Sequence, residues 1–295
     1  LGLEVMRDHP DRLRSVVLDS VFPPDKEPLI SFPELMQDGL QRLFKACAAD
    51  DACHRWYPAL EQNFYSTLAR LDRKPLMLES VRADTGETIT VAINGQRMLT
   101  LTFFALYWWD MVASLPSVMD ALHKGQHNAL GPVLENYLAW VFDTRFSAGV
   151  MHSVYCAEQS PSMDMAAVRQ RVKAMPHIGQ YLLPLLDSSL CDYWQVPNVG
   201  DGYRQPVVSD VPALLLSGEF DPITPPVWAQ EAAAQLIGAR QIVVPGVSHA
   251  VVDSDDCASA IVGRFFDDPQ AGLALACRQA WKSIKFVPQQ KYTSN

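Results

Sequence analysis

Residues Ala213–Trp228 read ALLLSGEFDPITPPVW, an apolar run that stops at an acidic turn and restarts as a helix. Ala213–Leu216 is a continuous apolar stretch, the pattern of a strand buried on both faces. Gly218 releases the backbone into a turn. Asp221 follows at the strand's carboxyl end, where open α/β sheets place ligand and catalytic groups. Thr224 is set to cap the next helix, Pro225 suits its first turn and Gly238 is a natural stop. Taken alone, an Asp-Pro of this kind reads as a solvated turn or a capping aspartate.

The next unit changes that reading. Gln241–Pro245 is a second short apolar strand, and it runs into Gly246-Val247-Ser248-His249-Ala250. One helix and one parallel strand fill the interval from Asp221 to His249, so both side chains are expected on the same sheet edge. A buried carboxylate beside an imidazole fixes the ring's tautomer and stabilises the imidazolium, as in a Ser-His-Asp system. Acid before histidine, late in the chain, is the order of α/β-hydrolases.

GEFDPITPP followed by PGVSH resembles the C-terminal segment of the tripeptidyl-aminopeptidase-like and proline-iminopeptidase-like serine peptidases, a group of α/β-hydrolases. The opening, LGLEVMRDHPDRLRSVVLDSV, resembles the helix and strand that directly follow the nucleophile in that family. The resemblance implies an α/β fold: the C-terminal part of an α/β-hydrolase, with a large, mainly helical lid inserted between sheet strands. The body is expected over residues 1–30 and 209–295, and the lid over 31–208. Asp221 and His249 are then the orienting acid and the general base.

The nucleophile of this family sits in a G-x-S-x-G motif on a strand-to-helix turn, and these 295 residues contain none. Gly246-Val247-Ser248-His249-Ala250 lacks the second glycine and follows the strand already assigned to the histidine. The resemblance implies that the chain starts about five residues beyond the nucleophile, and that the oxyanion donors precede it too. It reads as a fragment that is itself inactive.

Leu1–His9 reads as a helix that Pro10 ends, and Ser15–Val21 as a strand. Prolines in FPPDKEPLI (22–30) lead out of the sheet. Helical stretches then dominate: Phe32–Ala48, Trp56–Leu71, Leu99–Met119, Pro132–Phe142 and Met163–Lys173. A two-stranded element is expected over Glu79–Ile93, with Asn94-Gly95 as a turn. Phe103, Phe104, Tyr107, Trp108 and Trp109 make one helix aromatic-rich, either as a pocket wall or as packing inside the lid.

Composition bounds the partners. A formal net charge of −9 argues against nucleic acid or an anionic membrane surface, and 48% hydrophobic content suffices for a large core. No apolar run approaches the ~20 residues of a membrane span. The expected partner is a peptide or small-molecule substrate, with no cofactor. His123 and His127 have i,i+4 spacing but no matching third ligand, and Gly125 interrupts the helix; they read as a surface pair and not as a zinc site.

The six cysteines show no C-x-x-C spacing, and their pairing cannot be read from sequence alone. The family resemblance suggests neighbours in order: Cys47–Cys53, Cys156–Cys191 and Cys257–Cys277. Disulfides require an oxidising compartment, which points to a periplasmic or secreted protein; six buried free thiols in a cytosolic enzyme are the alternative.

Two carboxylates compete to orient His249. Asp221 matches the family turn, whereas Asp19, on the preceding sheet strand, is expected to accept backbone N–H groups at the strand end. Glu219 is expected to point away or line the rim, and Asp253 and Asp255 to cap the next helix. Glu158 is the candidate to bind a substrate's free α-ammonium through a charge-assisted pair; an exposed surface glutamate is the alternative. The reading is a serine exopeptidase acting on peptide N-termini. A carboxylesterase-type hydrolase and a catalytically dead binding protein are the competing readings.

Overall fold

The computed structural model describes residues 1–108, 110–158, 164–186, 189–273 and 276–288. Trp109 and Met163, both singled out in the sequence, lie outside the described residues. The chain opens with helix α1 (Gly2–Asp8) and strand β1 (Val16–Asp19). A helical stretch follows: α2 (Pro28–Ala49), α3 (Asp51–Trp56) and α4 (Leu60–Arg73). An antiparallel hairpin of β2 (Leu76–Val81) and β3 (Thr88–Ile93) leads to α5 (Gly95–Tyr107), α6 (Leu115–His123), α7 (Gly131–Val141) and α8 (Ala148–Glu158). Next come α9 (Met165–Ala174), α10 (Gly179–Leu182) and α11 (Ser189–Trp194). The chain then returns to sheet with β4 (Ala213–Gly218), α12 (Pro226–Ala233), β5 (Arg240–Val244), α13 (Val251–Ser254) and α14 (Asp256–Asp267).

The chain divides into two compact units. One holds Leu1–Gly39, Tyr107–Trp109 and Val199–Lys285; the other holds Leu40–Leu106, Asp110–Asn198 and Phe286–Asn295.

The first unit is built on a parallel sheet in the order β1-β4-β5. Every residue of the central strand β4 is buried, as a continuous apolar run requires. Its side chains alternate between faces with the period of two of a strand. Ala213 and Leu215 join Leu3 and Met6 of α1 and Ala229 and Ala232 of α12. Leu214 and Leu216 join Ile242, Val251, Ala258, Ile261 and Phe265 on the other face. Leu214, Leu215 and Leu216 are each fully buried, worth roughly 1.5–3 kcal/mol apiece in surface removed from water. Asp19 is in register with Leu216, and Gly218 with Val244. The carboxyl ends of all three strands therefore share one edge.

Several boundaries differ from expectation, each for a local reason. Thr224 does not cap α12, because the helix begins one residue later than expected: Pro225 takes the N-cap position with Pro226 at the first helical position, and the Thr224 hydroxyl donates to Asp221 instead. Asn94-Gly95 is not the hairpin turn. The connection falls at Arg82–Glu87, while the Asn94 side chain accepts the Arg97 N–H and so starts α5. The expected helix Leu99–Met119 is two helices, with a separate 3-10 turn at Val112–Ser114 between them. Helix α8 went unread because its sequence, AGVMHSVYCAE, has no amphipathic stripe.

Three disulfides are formed. Cys47–Cys53 joins α2 to α3, Cys156–Cys191 joins α8 to α11, and Cys257–Cys277 ties α14 to a 3-10 turn at Ala276–Ala280. Their Cα separations of 5.1, 5.3 and 5.7 Å lie within the range a disulfide spans. No helix is long and apolar enough to cross a membrane among the described residues.

Candidate active site

Strand β4 delivers an acid at its end. Beyond Gly218 the chain stays tied to the end of β5 and the loop after it: the Glu219 N–H donates to Val244 O at 3.0 Å and the Phe220 N–H to Val247 O at 2.9 Å. The turn closes on itself when the Asp221 N–H donates to Gly218 O at 3.2 Å. Asp221 is left completely buried. A buried carboxylate is costly unless its oxygens are satisfied, and here they are. Oδ1 accepts the N–H groups of Ile223 and Thr224, both at 2.9 Å. Oδ2 accepts the Thr224 hydroxyl at 2.7 Å.

The same Oδ2 lies 2.9 Å from His249 Nδ1. Thr224 Oγ1 lies 3.1 Å from Nδ1 as well. An ionised carboxylate only accepts, and the Thr224 hydrogen is directed to Asp221. The imidazole hydrogen is therefore assigned to Nδ1, which leaves the lone pair on Nε2. Nε2 makes no hydrogen bond among the described residues. Of the two competing carboxylates, Asp221 reaches the ring. Asp19 instead accepts the N–H groups of Val251 at 3.1 Å and Val252 at 2.9 Å.

Tyr107, the last residue of α5, stacks on the His249 ring with centroids 4.4 Å apart and planes 24° from parallel. Burial raises the Tyr107 pKa, with a further push from the Asp221 charge. The phenol is thus neutral and offers the imidazole an aromatic face. Neither this contact nor the Thr224 hydroxyl was legible in the sequence.

Glu219 does not point away from the site. Its Oε2 accepts the Gly246 N–H at 2.8 Å, pinning the start of the turn that carries His249. Asp255 caps α14 by accepting the Ala258 N–H at 2.7 Å, and it also accepts the Trp281 indole N–H at 3.1 Å. Ser248 is fully buried. Glu158 is the last residue of α8, two positions after the disulfide-bonded Cys156; it belongs to the helical unit, whereas Asp221 and His249 belong to the sheet unit. The structure brings Asp221 and His249 together and places Glu158 in the other unit.

A parallel sheet with an acid and a histidine paired after consecutive strands is the arrangement of an α/β-hydrolase. Residues 176–273 match the family described as TAP-like protein. The chain is also similar to the protein named Serine protease Hip1 of Mycobacterium bovis and of two strains of Mycobacterium tuberculosis. Each is 24% identical over 283 residues, which cover 87% of this chain and 51% of the relative. The chain thus spans about half the length of the curated relatives it matches. Both matches point the same way: the chain is similar, over residues 176–273, to the TAP-like family and, more distantly, to a serine protease.

Proposed function

We propose that this protein acts as a serine exopeptidase that releases residues from peptide N-termini. The observation that carries the reading is the 2.9 Å contact between buried Asp221 and His249 Nδ1, which leaves Nε2 as the basic nitrogen. In the proposed step Nε2 takes the proton of a serine hydroxyl as its oxygen bonds to the scissile carbonyl carbon. Asp221 stabilises the imidazolium formed, and the proton then passes to the departing amine. The serine is not supplied by these 295 residues, which hold no G-x-S-x-G, so the 295-residue chain by itself is expected to leave substrates intact.

Glu158 is proposed to pair with the free α-ammonium of the substrate, and the helical unit to serve as the lid over the catalytic edge. The three disulfides favour an oxidising compartment, periplasmic or extracellular. The test is a panel assayed with the complete gene product: aminoacyl-arylamides with free and with acetylated amino groups, beside short acyl esters. Free-amine arylamides should be cleaved preferentially, and Glu158→Gln should raise their KM while sparing kcat. Equal cleavage of acetylated substrates would exclude the exopeptidase reading, and preference for the esters would favour the carboxylesterase one.

The stacked Tyr107 contributes in the same scheme. A cation against an aromatic face gains about 0.5–2 kcal/mol, so an imidazolium under Tyr107 is stabilised relative to the neutral ring. Tyr107→Leu is expected to lower kcat by roughly 2- to 30-fold, whereas Tyr107→Phe should stay near the parental value. A Phe variant as slow as the Leu variant would show that the hydroxyl, not the ring face, matters.

A further inference from the structure

The residue after His249 is held in an unusual conformation. Ala250 has φ 61°, in the left-handed region that residues with a Cβ rarely enter. It immediately precedes the four-residue helix α13, whose first amides have no partners within the helix. Ala250 has no side-chain group with which to satisfy them.

Two side chains from the far side of the sequence do so instead. Ser20 Oγ accepts the Ala250 N–H at 3.1 Å. Asp19 Oδ1 accepts the Val251 N–H at 3.1 Å and Oδ2 the Val252 N–H at 2.9 Å. Three consecutive amides directly following His249 are thus bound by two consecutive residues at the end of β1. The Ser20 hydroxyl donates to Asp19 Oδ1 at 3.2 Å, which joins the two acceptors into one unit. Ser20 is itself left-handed, φ 57°, and its N–H is fixed to Leu216 O at 2.9 Å on the buried strand β4. The anchor therefore rests on the sheet and not on a loop. On the opposite side of His249, Glu219 Oε2 pins Gly246.

We infer that Asp19 and Ser20 are positioning residues for His249. They act through the backbone of Ala250–Val252, keep Ala250 left-handed, and so keep Nδ1 against Asp221. If Ala250 relaxed to a right-handed or extended conformation, the chain direction at His249 would swing. A contact of 2.9 Å has little room before it ceases to be a hydrogen bond. The functional importance of this device rests on the reading of His249 as the general base.

The test is solution NMR on the 295-residue chain. The readouts are the hydrogen-bonded Nδ1–H resonance of His249, assigned by its disappearance in His249→Ala, and hydrogen exchange at Val251 and Val252. Ser20→Ala and Asp19→Ala should lose the Nδ1–H resonance. Exchange at these two amides should quicken at least tenfold in Asp19→Ala, while Leu215 in β4 stays protected. Ser20→Gly guards against misfolding, since it removes the hydroxyl while relieving the left-handed Ser20 backbone; it too should lose the resonance. Ala250→Gly added to Ser20→Gly should restore it, because glycine adopts the left-handed conformation without the anchor. A resonance that persists in both Ser20→Gly and Asp19→Ala would overturn the inference, as would failure of Ala250→Gly to restore it. The general-base reading fails separately: the complete gene product of Ser20→Gly would lose the resonance yet hydrolyse at the parental rate.

Discussion

Replacing His249 with alanine is expected to abolish hydrolysis by the complete gene product, with a loss on the order of a millionfold in kcat. The size follows from role. Without Nε2 no group takes the serine proton, and what remains is the contribution of substrate binding and oxyanion stabilisation. Asp221→Asn is the more informative change, because it preserves shape and alters only the direction of hydrogen bonding. An amide nitrogen facing Nδ1 at 2.9 Å donates, so Nδ1 must accept and the ring hydrogen moves to Nε2. The base is then blocked by its own proton, with an expected loss of about ten-thousandfold in kcat. Because the two residues act as one unit, the double variant should be no slower than His249→Ala alone. Stopped assays with a free-amine arylamide suffice to measure all three. An Asp221→Asn enzyme within tenfold of the parent would mean that another group orients His249.

The parts of the site that lie within one strand-turn-helix segment were readable in the sequence. Ala213–Leu216 reads as a doubly buried strand because a central parallel strand has no polar face to show, and that is how β4 is found. Asp221 and His249 share an edge because both follow parallel strands joined by a single helix. What escaped were contacts made across long sequence separation. Tyr107 reaches the imidazole from the end of a helix whose aromatic residues carry no signal distinguishing one from another. Glu219 was expected to point away or line the rim; in fact it turns its carboxylate onto the Gly246 amide, which no spacing rule anticipates. Thr224 has the chemistry of an N-cap but lies one residue before the N-cap Pro225, and its hydroxyl donates to Asp221. Local propensity was a sound guide where no tertiary partner intervened.

The second large effect concerns Gly218, where β4 ends beside the turn that carries His249. A Cβ built there would lie 1.9 Å from Ser248 O, 2.6 Å from Ser248 C and 2.7 Å from Val247 O. All three are backbone atoms, so no rotamer change relieves the overlap. The Val247 carbonyl is fixed by the Phe220 N–H at 2.9 Å, and Gly218 is itself in register with Val244. An alanine must therefore push the His249 turn away from β4. Gly218→Ala is expected to cost about 3 kcal/mol or more, at the upper end of overpacking changes. It should also separate Asp221 from His249, because residue 218 lies three before the acid and residue 248 directly before the histidine. Gly238→Ala is the matched control. Gly238, unlike Gly218, requires a backbone conformation alanine dislikes, φ 74°, but open space surrounds its Cβ position. That change should cost about 1–2 kcal/mol and leave the Nδ1–H resonance of His249 in place. Urea unfolding midpoints with the same NMR readout distinguish the two: a lower midpoint alone for Gly238→Ala, a lower midpoint together with loss of the histidine signal for Gly218→Ala. A Gly218→Ala chain that kept both would show that the turn has room to move without releasing the imidazole.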